Sequence, residues 1–392
     1  YYFYGHSTVT VNLRGTYQLR PNDHKVCVGA ARGWNDPCKQ DPSIHAVKPA
    51  TYFLFKDRER LTREGITPRE RERLLNDVRN YTRVSISEAA SFQIDSDDRT
   101  DCMKAANGVR TCTQEQEYQN FANWYQYHRF RHLLAVGAVS EAFARQVGSD
   151  VRVGYGRINK GSTSVDGRDT GVVERGVRRF QGADKDSFFN WLQRWVHPSG
   201  GTPLLGASIS VGDYFSRDDM DGPWADQGPD GRKRMLSCRR SYHILMTDGQ
   251  YNDLKTRKFE NHAGIENADG DKGPIIPASG RNAQYQYLPR DARNKLYPSP
   301  ARKTLADIAM YYWNRDLLPR LPNNVPVDGD SPSFWQNVTM YTLSFGADGK
   351  LPASTPESQA STLQDIVSGR RSWPAVVRKE SDEAVDDLWH AA

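Results

Sequence analysis

Along this chain, short apolar runs are separated by long polar stretches. The run that organises the rest is Tyr242-His-Ile-Leu-Met246, stopped by Thr247-Asp248-Gly249 and followed by Gln250, Tyr251, Asn252 and Asp253. An apolar run of this length, closed by Asp-Gly, reads as a strand buried on both faces. In open α/β sheets ligands sit beyond the carboxyl ends of such strands, which is where Asp248 would stand. Asp-Gly is also a common turn or hairpin connection, and the segment alone leaves both readings open.

The same patterning places the other elements. Thr8–Leu13 and Thr51–Phe55 are β-like, Lys56–Asn80 is a charged helical stretch with Glu and Arg at helical spacing, and Tyr81–Ile86 reads as a strand. Residues 92–112 are polar loop. Tyr118, Phe121, Trp124, Tyr125, His128, His132, Val136, Val139 and Phe143 recur three and four apart, predicting one long helix from about Gln114 to Gln146. Strands follow over Val151–Ile158 and, as an edge strand, Gly171–Phe180, then a helix over Asp186–Val196. Thr202 and Pro203 open a further helix to about Phe215, with Thr202 as its N-cap and Pro203 in its first turn. Residues 254–302 form a long polar excursion. Beyond it come a helix over Thr304–Leu318, a strand over Thr339–Phe345, and helices over Ala360–Ser368 and Asp382–His390. From residue 113 onward, helices alternate with strands. That order predicts an α/β fold with a doubly wound, mostly parallel sheet, residues 254–302 being a long insertion in it. Residues 1–112 stand outside the rhythm as an insertion or cap region.

Composition refines this picture. The 392 residues carry 53 Lys and Arg against 48 Asp and Glu, a net charge of +5 with both signs mixed throughout. That is a solvated surface rather than a nucleic-acid-binding stripe. A mean hydropathy of −0.75 beside 11% aromatic residues describes a folded core carrying polar insertions. No run reads as a membrane span or a signal peptide, and the opening Tyr1-Tyr-Phe-Tyr suggests a piece of something longer. Cys27 with Cys38, and Cys102 with Cys112, are two close pairs in polar loops. This is the pattern of local disulfide staples in an oxidising compartment, and Cys238 is left over.

Candidate chemistry is sparse. His128 and His132 stand four apart but enclose Arg-Phe-Arg without a glutamate base, so they read as packing residues. Gly154-Tyr-Gly156 lacks the third glycine and following helix of a dinucleotide site. Asn267-Ala-Asp269-Gly-Asp271 resembles part of a calcium loop but has no downstream glutamate at EF-hand spacing, which makes it a turn. No Gly-x-Ser-x-Gly elbow, Walker loop or His-Glu-x-x-His occurs. What remains is an oxygen pair, the Thr202 hydroxyl and the Asp248 carboxylate, suited to a hard divalent cation such as Mg²⁺ or Ca²⁺.

Gly200-Gly-Thr-Pro-Leu204 followed by Ile244-Leu-Met-Thr-Asp-Gly249 resembles the second and third metal-contact segments of a von Willebrand factor A domain. Asn120-Phe-Ala-Asn-Trp-Tyr125, Leu305-Ala-Asp-Ile-Ala-Met-Tyr-Tyr-Trp313, Phe334-Trp-Gln336 and Asp386-Asp-Leu-Trp-His-Ala-Ala392 resemble the PilC/PilY-type proteins, tip-associated adhesins and assembly factors of bacterial type IV pili. The resemblance runs from about Arg99 to the last residue. It implies an exported, non-enzymatic protein at the cell surface, at the pilus tip or outer membrane. It further implies partners among minor pilins and the pilus fibre, a surface or host-cell receptor, and a β-propeller downstream in the same protein. It also implies a Cys102–Cys112 pair. The chain departs from the A-domain pattern in lacking an Asp-x-Ser-x-Ser segment. Asp95-Ser-Asp-Asp98 does not supply it, so Thr202 and Asp248 would be two ligands of a shell whose others lie upstream of Tyr1 or are absent. The competing expectations are an A-type scaffold with a decayed metal site and a metal-assisted hydrolase using Asp248.

Overall fold

The computed structural model describes residues 50–392 except 64–65, 95–98, 129–130, 195–199, 229, 328–330 and 354. The expected strand Thr8–Leu13 and the segment Asp95–Asp98 lie outside the described residues. So do Cys27 and Cys38, and with them the first of the two expected disulfide staples. The chain divides into two compact units, Tyr1–Ala138 and Val139–Ala392.

In the first unit the elements are β1 (Thr51–Phe55), α1 (Arg58–Thr62), α2 (Pro68–Asn76), β2 (Tyr81–Ser85), β3 (Ser91–Ile94), β4 (Met103–Lys104), β5 (Arg110–Thr113) and α3 (Gln114–Tyr127). The charged stretch forms two helices rather than one. Thr67 accepts the Glu70 N–H and Pro68 takes the first turn, so a second helix starts there. β1 pairs antiparallel with β2, and β5 lies between β3 and β4. Thr113 and Gln116 close a capping box that starts α3, whose Tyr118 and Phe121 pack with Ala50, Ile86 and Phe92. The second expected staple, the Cys102–Cys112 disulfide, is formed, with both cysteines buried.

A further helix, α4 (Arg131–Gln146), spans the division between the units. The single helix expected over 114–146 is therefore two. In α3 Trp124 and Tyr127 are exposed and Tyr125 is half-buried, and His128 leaves helical geometry at φ −133°, ψ −1°.

The second unit contains β6 (Arg152–Gly156), β7 (Thr163–Val165), β8 (Arg168–Thr170), β9 (Val173–Arg179), α5 (Gly182–Arg194), α6 (Leu204–Phe215), β10 (Ala225–Gln227) and β11 (Lys233–Met235). These are followed by β12 (Tyr242–Thr247), α7 (Leu305–Trp313), β13 (Thr339–Ser344), α8 (Pro356–Val367) and α9 (Asp382–Ala391). Among the described residues the sheets have two or three strands each. β12 and β13 pair in parallel, from Tyr242↔Thr339 to Thr247↔Ser344, and β6–β9, β7–β8 and β10–β11 pair antiparallel.

The core lies on one face of β12–β13. Leu245 and Met340 meet Leu204, Leu205 and Ile209 of α6, Leu305 and Ile308 of α7, and Ala384 and Leu388 of α9. The opposite face leaves Tyr242, Ile244, Tyr341 and Leu343 exposed, so β12 is not buried on both faces as its apolar run predicts. Helix α7 stops at Trp313, five residues before the expected Leu318. The Trp313 carbonyl bonds the Trp335 indole N–H at 2.8 Å instead of continuing the helix. Residues 254–302 hold only short 3-10 turns and isolated bridges, yet Phe259, Ile265, Ala268, Ile276 and Tyr287 are buried. The polar excursion is thus a packed insertion anchored by a few apolar side chains.

Candidate functional site

The two segments singled out for a cation, Gly200–Pro203 and Asp248–Asp253, come together beside the carboxyl ends of β12 and β13. Asn252 fastens them. Its side-chain oxygen accepts the Thr202 N–H at 3.0 Å, and its own N–H donates to the Thr202 carbonyl at 3.1 Å. Asn159 holds the loop from its other side, donating to the Gly201 carbonyl at 2.6 Å. Glycine is required at 201, since a Cβ there would stand 2.6 Å from the Asn252 amide.

Thr202 is not the N-cap of α6. That place falls to Pro203, which has no side-chain acceptor, and the N–H groups of Leu205 and Gly206 donate to the Asp253 carboxylate at 3.2 and 2.8 Å. A carboxylate from a distant loop thus does the capping, in favourable register with the helix dipole. Burial pushes the Asp253 carboxyl up from its ordinary range, opposed by those same backbone bonds.

The end of β12 is equally constrained. Thr247 is buried, and its hydroxyl accepts the Gly249 N–H at 3.3 Å. Gly249 sits at φ +114°, and a Cβ there would approach the Ala347 Cβ to 2.6 Å and the Ser344 Oγ to 2.7 Å. Asp248, between these two fixed residues, is exposed. Among the described residues, neither its carboxylate nor the half-buried Thr202 hydroxyl makes a side-chain hydrogen bond or ion pair. Both oxygens are therefore free to meet a ligand. The described residues include no group of three or more His, Cys, Asp or Glu that could hold a metal. The donors fit a hard cation in kind but make only part of an octahedral shell.

The other expected site residues are placed as follows. His128 caps the C-terminus of α3 and His132 lies in α4, so the pair does not share one helix. Asn267–Asp271 is a turn, with the Gly270 and Asp271 N–H groups on the Asn267 carbonyl and the Asp269 side chain buried rather than facing the loop. Of the expected disulfide cysteines, Cys102 and Cys112 are bonded to each other, while Cys27 and Cys38 fall outside the described residues. Cys238 is a free, exposed thiol.

Sequence reasoning missed the carboxylates of α9. Asp387 is buried and accepts the Tyr251 hydroxyl at 2.6 Å and the Leu305 and Ala306 N–H groups at 2.8 and 3.2 Å. Asp386 takes the Lys350 and Leu351 N–H groups at 2.9 and 3.2 Å. The loop after β12, the start of α7 and the loop after β13 are in this way all tied to α9. The only signal was that Asp386-Asp-Leu-Trp-His resembles a motif of the PilC/PilY-type proteins.

The chain is similar to the type IV pilus biogenesis factor PilY1 of Pseudomonas aeruginosa. Identity is 31% over 296 residues with PilY1 of strain PAK, which covers 70% of this chain and 24% of that protein. It is 30% over 343 residues with PilY1 of strain PAO1 (80% and 27%) and 30% over 295 residues with that of strain UCBPP-PA14 (70% and 23%). The chain spans about a quarter of the length of these relatives. No family model matches it, and no solved structure matches it. The resemblance to PilC/PilY-type proteins read from the motifs agrees with this similarity to part of PilY1.

Proposed function

We propose that the chain is a non-enzymatic module of an exported type IV pilus biogenesis factor, displayed with the pilus at the cell surface. The observation that carries this reading is the similarity to PilY1 along 343 residues. In the finer form of the proposal the module is a von Willebrand factor A-like α/β domain. It primes fibre assembly with minor pilins and presents the carboxyl end of β12 to a surface or a host-cell receptor. Thr202 and Asp248 would contribute a hydroxyl and a carboxylate to a Mg²⁺ or Ca²⁺ ion, with water and polypeptide outside the described residues completing the shell. A bound cation would offer a coordination position to a partner's carboxylate. What supports this is that both oxygens lie on fastened loops and are not consumed by internal hydrogen bonds.

A scaffold reading is favoured by a different observation. The Asn252, Asp253 and Asn159 bonds hold both loops without any ion. Asp248→Ala and Thr202→Ala in the full-length protein separate the two. The adhesin form expects piliation to persist while attachment that depends on divalent cation, measured with and without chelator, falls at least tenfold. Attachment with unchanged cation dependence in both variants would reject the metal role and leave the scaffold.

A further inference from the structure

The insertion 254–302 meets the core of the second unit at a buried polar point made almost wholly of acids. Asp269 is 1% exposed. Its N–H donates to Asp307 Oδ1 at 3.4 Å and its carbonyl accepts the Tyr287 hydroxyl at 2.6 Å, while both its carboxyl oxygens are buried without a hydrogen-bond partner among the described residues. Asp307, fully buried, takes the Thr304 N–H and hydroxyl on its other oxygen, both at 3.0 Å. Asp387 is committed to Tyr251 and the start of α7.

From α9, the His390 Nε2 lies 3.7 Å from Asp269 Oδ2, but the ring nitrogen already engages the Tyr297 carbonyl at 2.5 Å. The His390 ring is stacked on Trp373. Burial holds this imidazole down, to about 4, so it is neutral at ordinary pH and brings no compensating charge. Among the described residues no lysine or arginine pairs with Asp269, Asp307 or Asp387. Two carboxyl groups buried side by side without a compensating cation resist joint ionisation, which favours keeping a proton on the pair.

We propose that the 254–302 insertion is latched to the core by a proton shared between Asp269 and Asp307, and that loss of this proton frees it. The groups around the pair agree. Burial and then the Asp307 charge raise Asp269 above the ordinary carboxylate range, and burial raises Asp307 against the opposing bonds from Thr304. The sign follows from linkage. Both pKa values are higher in the latched form than in the open one, so latching binds protons, is strongest in acid and weakens as pH rises. Once the first proton of the pair is lost, and below the raised value of the second, opening releases about one proton. The opening equilibrium then grows about tenfold per pH unit. The released insertion would uncover the apolar anchors Ala268, Ile276 and Tyr287, along with the start of α7.

Hydrogen exchange of the full chain between pH 5 and 8 tests this. For amides within residues 265–300, the opening constant, corrected for intrinsic exchange, should rise about tenfold per unit. Asp269→Asn and Asp307→Asn should each flatten that slope, whereas Asp271→Asn, an exposed residue of the same turn, should keep it. A flat profile in the unsubstituted protein overturns the proposal without reference to any variant. So does an unchanged slope in the two Asn variants.

Discussion

At the scale of single residues, this fold leans on carboxylates that leave their own helix or loop to satisfy backbone N–H groups elsewhere. Asp253 serves α6, Asp386 serves residues 350–351, and Asp387 serves the start of α7 while accepting the Tyr251 hydroxyl. Asp387→Ala strands a buried hydroxyl and two buried amides. We expect it to cost the second unit roughly 3 kcal/mol, since each unsatisfied buried donor costs about 1–3 kcal/mol. Asp387→Asn, which retains one acceptor oxygen, should cost less, and urea titrations of the two variants will rank them. Little of this was legible in the sequence. Asp387 stands 82 positions from the amide it caps, and nothing local marks the partnership. Thr304, whose partner Asp307 is three residues away, was readable as a helix start. Asp248 was readable as an exposed oxygen at the end of a strand. Thr202 was misassigned as a cap because Asp253, which takes that work, arrives from another segment.

At the scale of elements, the starts of α3 and α7 were legible, whereas α5 and α8 each begin four residues before the expected start. Helix starts are written in neighbouring residues, as with Thr113–Gln116 and Thr304–Asp307, whereas ends depend on what the helix packs against. That is why α3 and α4 were merged and α7 was drawn too long. The strands β12 and β13 stand within a residue of their expected limits because their apolar runs are bounded by turn residues. The two-faced burial expected of β12 failed, since Tyr242 and Ile244 are exposed although the run is apolar on both faces. In the first unit the Cys102–Cys112 bond joins β5 to the loop before β4, a local closure with a sequence separation of 10. A loop of that size stabilises by at most about 3 kcal/mol. Mild reduction should therefore lower the thermal midpoint of the first unit and leave the second where it is. Calorimetry with and without reductant checks this, and an equal shift of both transitions would contradict the division.

At the scale of the whole molecule, the alternation of helices and strands from residue 113 conveyed the longer elements in order, but not the short strands β7, β8, β10 and β11, nor which strands pair. Pairing partners such as β12 and β13 are separated by the entire insertion, and periodicity carries no information about that distance. The insertion itself was read as polar excursion because its buried residues are few and irregularly spaced, and only the fold shows that they anchor it. The similarity to PilY1 was legible through motifs spread over several helices, one of which carries the Asp386 and Asp387 ties. The central claim is that this chain does the work of the matching part of PilY1. Exchanging that part of PilY1 in strain PAO1 for residues 1–392, in a strain lacking its own PilY1, tests it most directly, with export and abundance of the chimera verified. Surface pili restored well above the deletion background are the result we predict. An abundant, exported chimera that leaves the cells without pili would contradict it.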